Sequence, residues 1–333
     1  MEFLYSERLK RVLRRVWLSV VALVVLFFVS YAYFFGPIAE TDSVTVDFVV
    51  LPEETTQTSV AQELGEKGLI KSPWAFRLAL ALNSSRSDIR PGGYELRKSM
   101  DVWTVAETLN EAPKFAFVTF PKGIRKEQMA EILAKTLFWS EEQKHEFLTV
   151  ATKGDRDFIE GVYYPDTYFI PSDQSPGQVA SRLRGRFTDV FEPYAKEAKE
   201  KGLEWTDVLI LASLIEREAA KNDKELISGI LWNRLRKDML LQVDASLQYV
   251  KGAEGNWWPQ PTSSDKYLES PFNTYKYVGL PPHPINNPSL ESIAAALNPE
   301  KTDCLYYLHD NDHVIHCSVS YSGQKANVNK YLK

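Results

Sequence analysis

Two cysteines in 333 residues are too few for a disulfide framework. No HExxH, GxSxG, P-loop or GxGxxG string occurs, which disfavours zinc-protease, α/β-hydrolase, NTPase and dinucleotide-binding readings. There is no fixed-period repeat and no low-complexity tract. Basic excess is missing too: the formal net charge is −5. Residues 1–37 carry Arg8, Lys10, Arg11, Arg14 and Arg15 against Glu2 and Glu7, so the rest of the chain sums to −8. An acidic body lacks the footprint that nucleic-acid binding needs. The 44% hydrophobic and 25% charged composition is that of an ordinary folded protein, which excludes a disordered chain and a multi-span membrane protein.

One long apolar run is present. Val16–Gly36 holds no charge over 21 residues, and a helix needs ~20 to cross a ~30 Å hydrocarbon layer. The preceding cations place the N-terminus in the cytoplasm and everything after Pro37 outside. Tyr31, Tyr33, Phe34 and Phe35 sit where an interfacial aromatic belt would lie. The other reading is a cleaved signal peptide ending near Ser30-Tyr31-Ala32, but the apolar run continues past it. The expectation is a retained single-pass anchor: a cytoplasmic tail at 1–15, a transmembrane helix at 16–36, and an exported body on the bacterial cytoplasmic membrane.

Ile38–Ser43 reads as a linker. Val44–Leu51 reads as a strand, Thr58–Gly68 and Pro73–Leu82 as helices, Arg90–Leu96 as a turn entering a strand, and Thr104–Leu109 as a helix. These make a small α/β module. Phe115–Phe120 is a further strand and Arg125–Leu137 a helix; aromatic-rich Gly161–Pro171 is a loop or short strand; Gln178–Ala198 is helical, as is one long stretch from Glu204 to about Met239. Gly252–Pro288, with seven prolines and six aromatics, is an extended ordered surface. Ser289–Leu297 is a helix, and Leu305–Leu308 with Val314–Val319 a hairpin about Asp310-Asn311-Asp312. The fold class is α+β.

The chemistry concentrates in VLILASLIEREAA, Val208–Ala220. The helix is apolar almost all round until Glu216 and Glu218. Leu211, Leu214 and Ile215 share the face of Glu218, so its carboxyl continues the apolar stripe and its pKa should rise, as a general acid requires. Glu216 lies about 200° away at ~100° per residue. The alternative is that the helix simply leaves the core here and both carboxylates meet water or pair with Arg217 or Lys221. Downstream, Gln242 and Asp244 point the same way if Leu241–Ala245 is extended. Asn273, Thr274 and Tyr275 stand in Pro-fixed loops, with Trp257 and Trp258 offering stacking area, a set suited to sugar; the same residues equally serve as turn caps and core filler. His309, His313, His316 and Cys317 suggest a metal, but the Asp-Asn-Asp turn between the first two histidines argues against it, and no metal or cofactor is expected. Cys304 and Cys317 lie symmetrically about Asp310–Asn311, leaving a disulfide and two thiols both open.

The ordered strings PGGYEL (Pro91–Leu96), FVTFPKGIRKEQMAEIL (Phe117–Leu133), YPDTYFIP (Tyr164–Pro171), LASLIEREA (Leu211–Ala219), NRL (Asn233–Leu235), LQVDASLQY (Leu241–Tyr249) and SPFNTYKYVGLPPHPINNPSLESIAAALNP (Ser270–Pro299) resemble the MltG/YceG-like family of endolytic murein transglycosylases. At the C-terminus the chain departs from the family pattern: His313-Val314-Ile315 stands for a Gly-His-x-Phe-like strand, and Gln324 occupies the histidine position of a Glu-His pair. The resemblance implies a LysM-like small domain (43–113) and a catalytic domain (114–333) on nascent peptidoglycan strands. It further implies cleavage of the MurNAc–GlcNAc β-1,4 bond to a 1,6-anhydro-MurNAc end, with Glu218 as the essential acid. On that basis Glu216 is the reserve catalyst or a pKa-raising neighbour, and Gln242, Asp244, Asn273, Thr274 and Tyr275 hold the sugar. A peptidoglycan synthase is the expected partner, and termination of strand growth the expected role. The competing expectations are a non-catalytic glycan-binding scaffold and a hydrolytic muramidase using Glu216 or Asp244 as second carboxylate.

Overall fold

The computed structural model describes residues 2–39, 47–51, 56–83, 89–152, 160–220 and 222–332. The chain is mixed α/β and divides into two compact units, Met1–Phe117 with Phe169–Asp173, and Val118–Tyr168 with Gln174–Lys333.

In the first unit, helix α1 (Glu2–Phe35) contains a segment, Lys10–Phe35, long and apolar enough to cross a membrane. Strand β1 (Asp47–Leu51), helices α2 (Gln57–Glu66) and α3 (Pro73–Asn83), strand β2 (Gly92–Leu96) and helix α4 (Val102–Asn110) follow. Of the linker expected at Ile38–Ser43, residues 40–43 lie outside the described residues, as does the expected strand start at 44–46. Thr56 starts α2 with a reciprocal cap: the Ser59 amide donates to Thr56 Oγ1 at 3.2 Å, and the Thr56 amide to Ser59 Oγ at 3.0 Å. β1 and β2 pair antiparallel with Val49 opposite Tyr94, and both side chains enter a core with Leu51, Leu64, Phe76, Leu80 and Leu109. Two glycines explain the PGGYEL string. At Gly92, with φ 144°, a Cβ would lie 2.5 Å from Phe115 O, and at Gly93 it would lie 2.7 Å from the Phe169 ring. Only glycines let β2 close on strand β3 (Phe115–Thr119), which lies between β2 and strand β4 (Thr167–Pro171) in the sheet order.

The second unit is mainly helical: α5 (Lys126–Leu137), α6 (Glu141–Glu146), α7 (Pro176–Glu200), α8 (Trp205–Glu218), α9 (Lys224–Leu235), α10 (Asp244–Lys251), α11 (Leu290–Leu297) and α12 (Tyr321–Tyr331), with a hairpin of β5 (Tyr306–His309) and β6 (Ile315–Ser318). Every residue from Val208 to Ile215 is buried, so α8 is the central helix. Ser213, the one polar residue of that run, pins a loop onto it: its Oγ accepts from the Ile285 amide at 3.1 Å, and its carbonyl from Asn286 Nδ2 at 2.7 Å. The helical stretch read from Glu204 to Met239 is corrected to two helices. The chain breaks between α8 and α9, where Asn222 adopts the left-handed conformation at φ 68°, which Asn tolerates better than most residues. The two cysteines are bonded, Cys304 to Cys317, with Cα atoms 5.9 Å apart. The hairpin pairs Tyr307 with Cys317, so Cys304 lies ahead of β5 rather than opposite its partner.

Glu160 is wholly buried. It accepts from the Lys126 amide at 3.1 Å and from Asn287 Nδ2 at 2.7 Å, yet burial, reinforced by Glu127, pushes its carboxyl up to about 8. A raised carboxylate pKa means that the folded state holds a proton the unfolded chain has released. This contribution is fully present below the unfolded carboxylate range and is lost as pH rises through about 8. Glu160→Gln should therefore raise Tm little at pH values below ~4 and progressively more towards pH 8. Calorimetry across that window checks it, and a gain independent of pH would refute it.

Candidate active site

Glu218 is the last residue of α8, and the following Ala219 turns to extended backbone. The helix therefore presents its carbonyl end to this carboxyl, which disfavours the anion. Tyr307, from β5, donates its hydroxyl to Glu218 Oε2 at 2.7 Å. A second donor is the backbone N–H of Ala245, in the first turn of α10. Desolvation is the largest influence and raises the pKa of Glu218; Asp244 raises it further, while Tyr307, the Ala245 amide and His309 pull it down. Burial and the adjacent Glu218 carboxylate in turn hold the Tyr307 hydroxyl well above the usual phenol range. The result is a carboxyl whose pKa is raised by burial and which is fixed by two donors. Its like-charge neighbour is Asp244.

Glu216, expected as the reserve catalyst or a pKa-raising neighbour, is held by partners from two later helices. It is largely shielded from water and acts on Arg217 only as a neighbouring charge; its other expected partner, Lys221, lies outside the described residues. Its Oε2 accepts from the Ser289 amide at 3.1 Å, Ser289 Oγ at 2.6 Å, Ser292 Oγ and Lys224 Nζ at 3.2 Å. It joins α8, α9 and α11.

The expected alternation over Leu241–Ala245 is present, though the segment is not extended. Leu241, Val243 and Ala245 are buried, and Gln242 and Asp244 are exposed. The cause is a turn: Gln242 adopts φ 52°, its amide donating to Thr274 O at 3.0 Å, and Asp244 begins α10. Asp244 Oδ1 accepts from the Tyr275 hydroxyl at 2.6 Å, so these two residues stand beside Glu218. Asn273 and Thr274 are buried with their polar groups engaged internally. Asn273 Nδ2 donates to Lys266 O and Leu268 O, and its Oδ1 accepts from the Tyr275 amide at 3.0 Å. Thr274 Oγ1 accepts from the Val243 amide at 2.9 Å and bonds Ser246 Oγ at 2.9 Å. These two lock the loop that presents Tyr275 and the turn that presents Gln242.

Arg234 of the NRL string is buried and ties the hairpin to this turn. Its Nε donates to Leu305 O at 2.6 Å and its Nη1 to Leu241 O at 2.6 Å. Asn233 Nδ2 adds a bond to Thr302 O at 2.7 Å. Gln324, at the divergent C-terminal position, donates to Tyr307 O at 2.8 Å. Trp258 lies under the Arg217 guanidinium at 4.1 Å and donates to Gln128 Oε1, and Trp257 donates to Glu131 Oε1. His309 Nε2 bonds Asp223 Oδ2 at 2.7 Å; His316 bonds Asp310 and stacks on Tyr331 at 3.5 Å. Two of the histidines expected to suggest a metal, His309 and His316, thus have protein partners of their own, His313 is exposed, and Cys317 is bonded to Cys304. Tyr307, the nearest donor to Glu218, is absent from the sequence-derived candidates because its pairing spans 89 positions of chain.

Known proteins resemble this chain over most of its length. An endolytic murein transglycosylase of Bacillus subtilis (strain 168) is 32% identical over 292 residues, covering 81% of this chain and 80% of its own length. One of Streptococcus pneumoniae serotype 2 (strain D39) is 28% identical over 318 residues and 84% of this chain, which spans 58% of the streptococcal length. The crystal structure of a YceG-like protein from Listeria monocytogenes superposes with a TM-score of 0.65 at 25% identity, covering 85% of this chain and 99% of that one. The YceG-like family model matches residues 49–330, so the chain belongs to the YceG-like family.

Proposed function

We propose that this protein is a membrane-anchored endolytic murein transglycosylase that cuts the MurNAc–GlcNAc β-1,4 bond within nascent peptidoglycan strands and leaves a 1,6-anhydro-MurNAc end. The observation that carries the reading is the Glu218 carboxyl, desolvated at the end of α8 and held by Tyr307 and the Ala245 amide. Relatives named endolytic murein transglycosylase support the reaction class. Protonated Glu218 gives its proton to the glycosidic oxygen as the bond to C1 breaks. The resulting carboxylate takes the proton of the C6 hydroxyl as O6 bonds to C1, which regenerates the acid without water. Tyr307 and the Ala245 N–H stabilise the transient carboxylate, and Gln242, Asp244 and Tyr275 hold the sugar. Asn273 and Thr274 position Gln242 and Tyr275 rather than touching substrate. The small module is read as LysM-like glycan-binding, α1 as a retained anchor with a cytoplasmic N-terminus, and the cellular role as ending strand growth beside a synthase.

Mass spectrometry of uncrosslinked glycan strands incubated with the full chain in nanodiscs tests the reaction. Anhydro ends support it. Reducing ends would indicate hydrolysis with Asp244 as second carboxylate, and absence of cleavage with retained strand binding would indicate a scaffold.

The pH dependence gives a sharper test. The acid must be protonated, so the alkaline limb of kcat/KM follows the pKa of Glu218. Removing the Tyr307 hydroxyl removes a pKa-lowering contact, and neutralising Asp244 removes a pKa-raising one. Tyr307→Phe should shift the limb to higher pH and Asp244→Asn to lower pH. Shifts of the same sign would refute the assignment.

A further inference from the structure

Helix α3, PWAFRLALALN, carries one charge in its 11 residues. Its inner face, Ala75, Phe76, Ala79 and Leu80, is buried in the core of the first unit. Its outer face is apolar as well: Trp74, Leu78, Ala81 and Leu82 recur at helical spacing, with Trp74 63% and Leu82 69% exposed. A helix apolar all round belongs inside a core or against lipid, and this one has a core on one side only.

The end of α1 identifies what lies on the other side. Phe35, its last residue, meets the Trp74 ring edge-on with centroids 6.2 Å apart and stacks on Trp103 at 5.7 Å. Trp103 Nε1 donates to the Tyr31 hydroxyl at 2.9 Å. Past the helix, the Ile38 and Ala39 amides both donate to Lys98 O at 3.0 Å. Helix α3 meets the aromatic end of α1, at the level where Tyr31, Tyr33 and Phe34 stand exposed. Lys71 and Arg77 are exposed beside it, where their charges can meet anionic headgroups while the Arg77 stem lies along the apolar face.

We propose that α3 is an interfacial membrane contact, its Trp74–Leu82 face seated in the headgroup and upper acyl layer of the same bilayer that α1 crosses. The first unit then rests on the outer leaflet rather than swinging on a tether. The inference rests on the reading of α1 as a retained span.

The native cysteines are bonded to each other, so a single introduced cysteine can be spin-labelled selectively in the full chain. Trp74→Cys, Leu82→Cys, Leu23→Cys in α1 and Glu66→Cys on the exposed side of α2 would each be labelled in nanodiscs of equimolar phosphatidylcholine and phosphatidylglycerol. The ratio of oxygen to nickel-chelate collision rates should be several-fold higher at 74 and 82 than at 66, approaching the value at 23. Labels at 74 and 82 as aqueous as 66, with 23 in lipid, would overturn the contact and leave the anchor standing. An aqueous label at 23 would overturn both. Labels at 74 and 82 shielded from both reagents would overturn the proposal in favour of a protein covering, either a second copy or another chain. Leu82 lies about two turns along α3 from Trp74, so its label remains informative if Trp74→Cys loosens the end of α1.

Discussion

Glu218→Gln should abolish strand cleavage while leaving the protein folded and able to bind strands. Positioned general acids contribute ~10²–10⁴ in rate, and here one group serves as acid and then as base, so the loss should reach the upper part of that range. The substitution is nearly isosteric: the amide oxygen can still accept from Tyr307, while the transferable proton is gone. Stability moves the other way. The folded-state pKa of Glu218 is raised, so ionisation costs more in the folded state and stability drains away as pH rises through that pKa. A neutral glutamine avoids this cost, so above the ordinary carboxylate range Tm should equal or exceed that of the parent. The two readouts separate catalysis from structure: single-turnover anhydro-product formation followed by mass spectrometry, and calorimetry on the same preparation. A variant with parental turnover would end the assignment of Glu218. A variant that lost turnover only because it unfolded would show the fall in Tm that this argument excludes.

The apolar surroundings of Glu218 were legible in the sequence because they are local. Leu211, Leu214 and Ile215 reach it through the helical repeat, and all three are buried where the repeat puts them. Glu216 was not legible in the same way. The groups that approach it, Ser289, Ser292 and Lys224, come from later helices. Tyr307 is the plainest case. Nothing within the hairpin distinguishes a tyrosine filling a core from one donating to a carboxyl 89 residues earlier. Asn273 and Thr274 had side chains of the right type for sugar, and the fold spends them on its own backbone. Local signals served the first module well: the helix expected at Thr58–Gly68 is α2 at Gln57–Glu66, and the turn into a strand expected at Arg90–Leu96 leads into β2. They served α12 poorly, because none of its residues is buried and no apolar stripe marks it.

Glu216→Ala should be the most destabilising single change at the site. Its carboxylate accepts four donors, two of them from Ser289, which also caps α11 by accepting from the Ser292 amide. The pair is largely shielded, with side-chain exposures of 9% for Glu216 and 23% for Lys224. Removing the carboxylate strands the Lys224 ammonium among two serine hydroxyls and leaves the α8–α11 seam without its polar tie. Breaking a buried pair by deleting one partner costs ~3–5 kcal/mol; partial exposure here places the cost near about 3. For a unit of this size that corresponds to a fall in Tm of roughly 6–12 °C. Glu216→Gln, which keeps an acceptor, should lose less, and adding Lys224→Met to Glu216→Ala should restore part of the loss by removing the stranded charge. Below its melting range Glu216→Ala should retain most of its turnover, in contrast to Glu218→Gln. Unchanged Tm with lost turnover would return Glu216 to the chemistry, because a carboxylate that is not holding helices together would then be free to act on substrate.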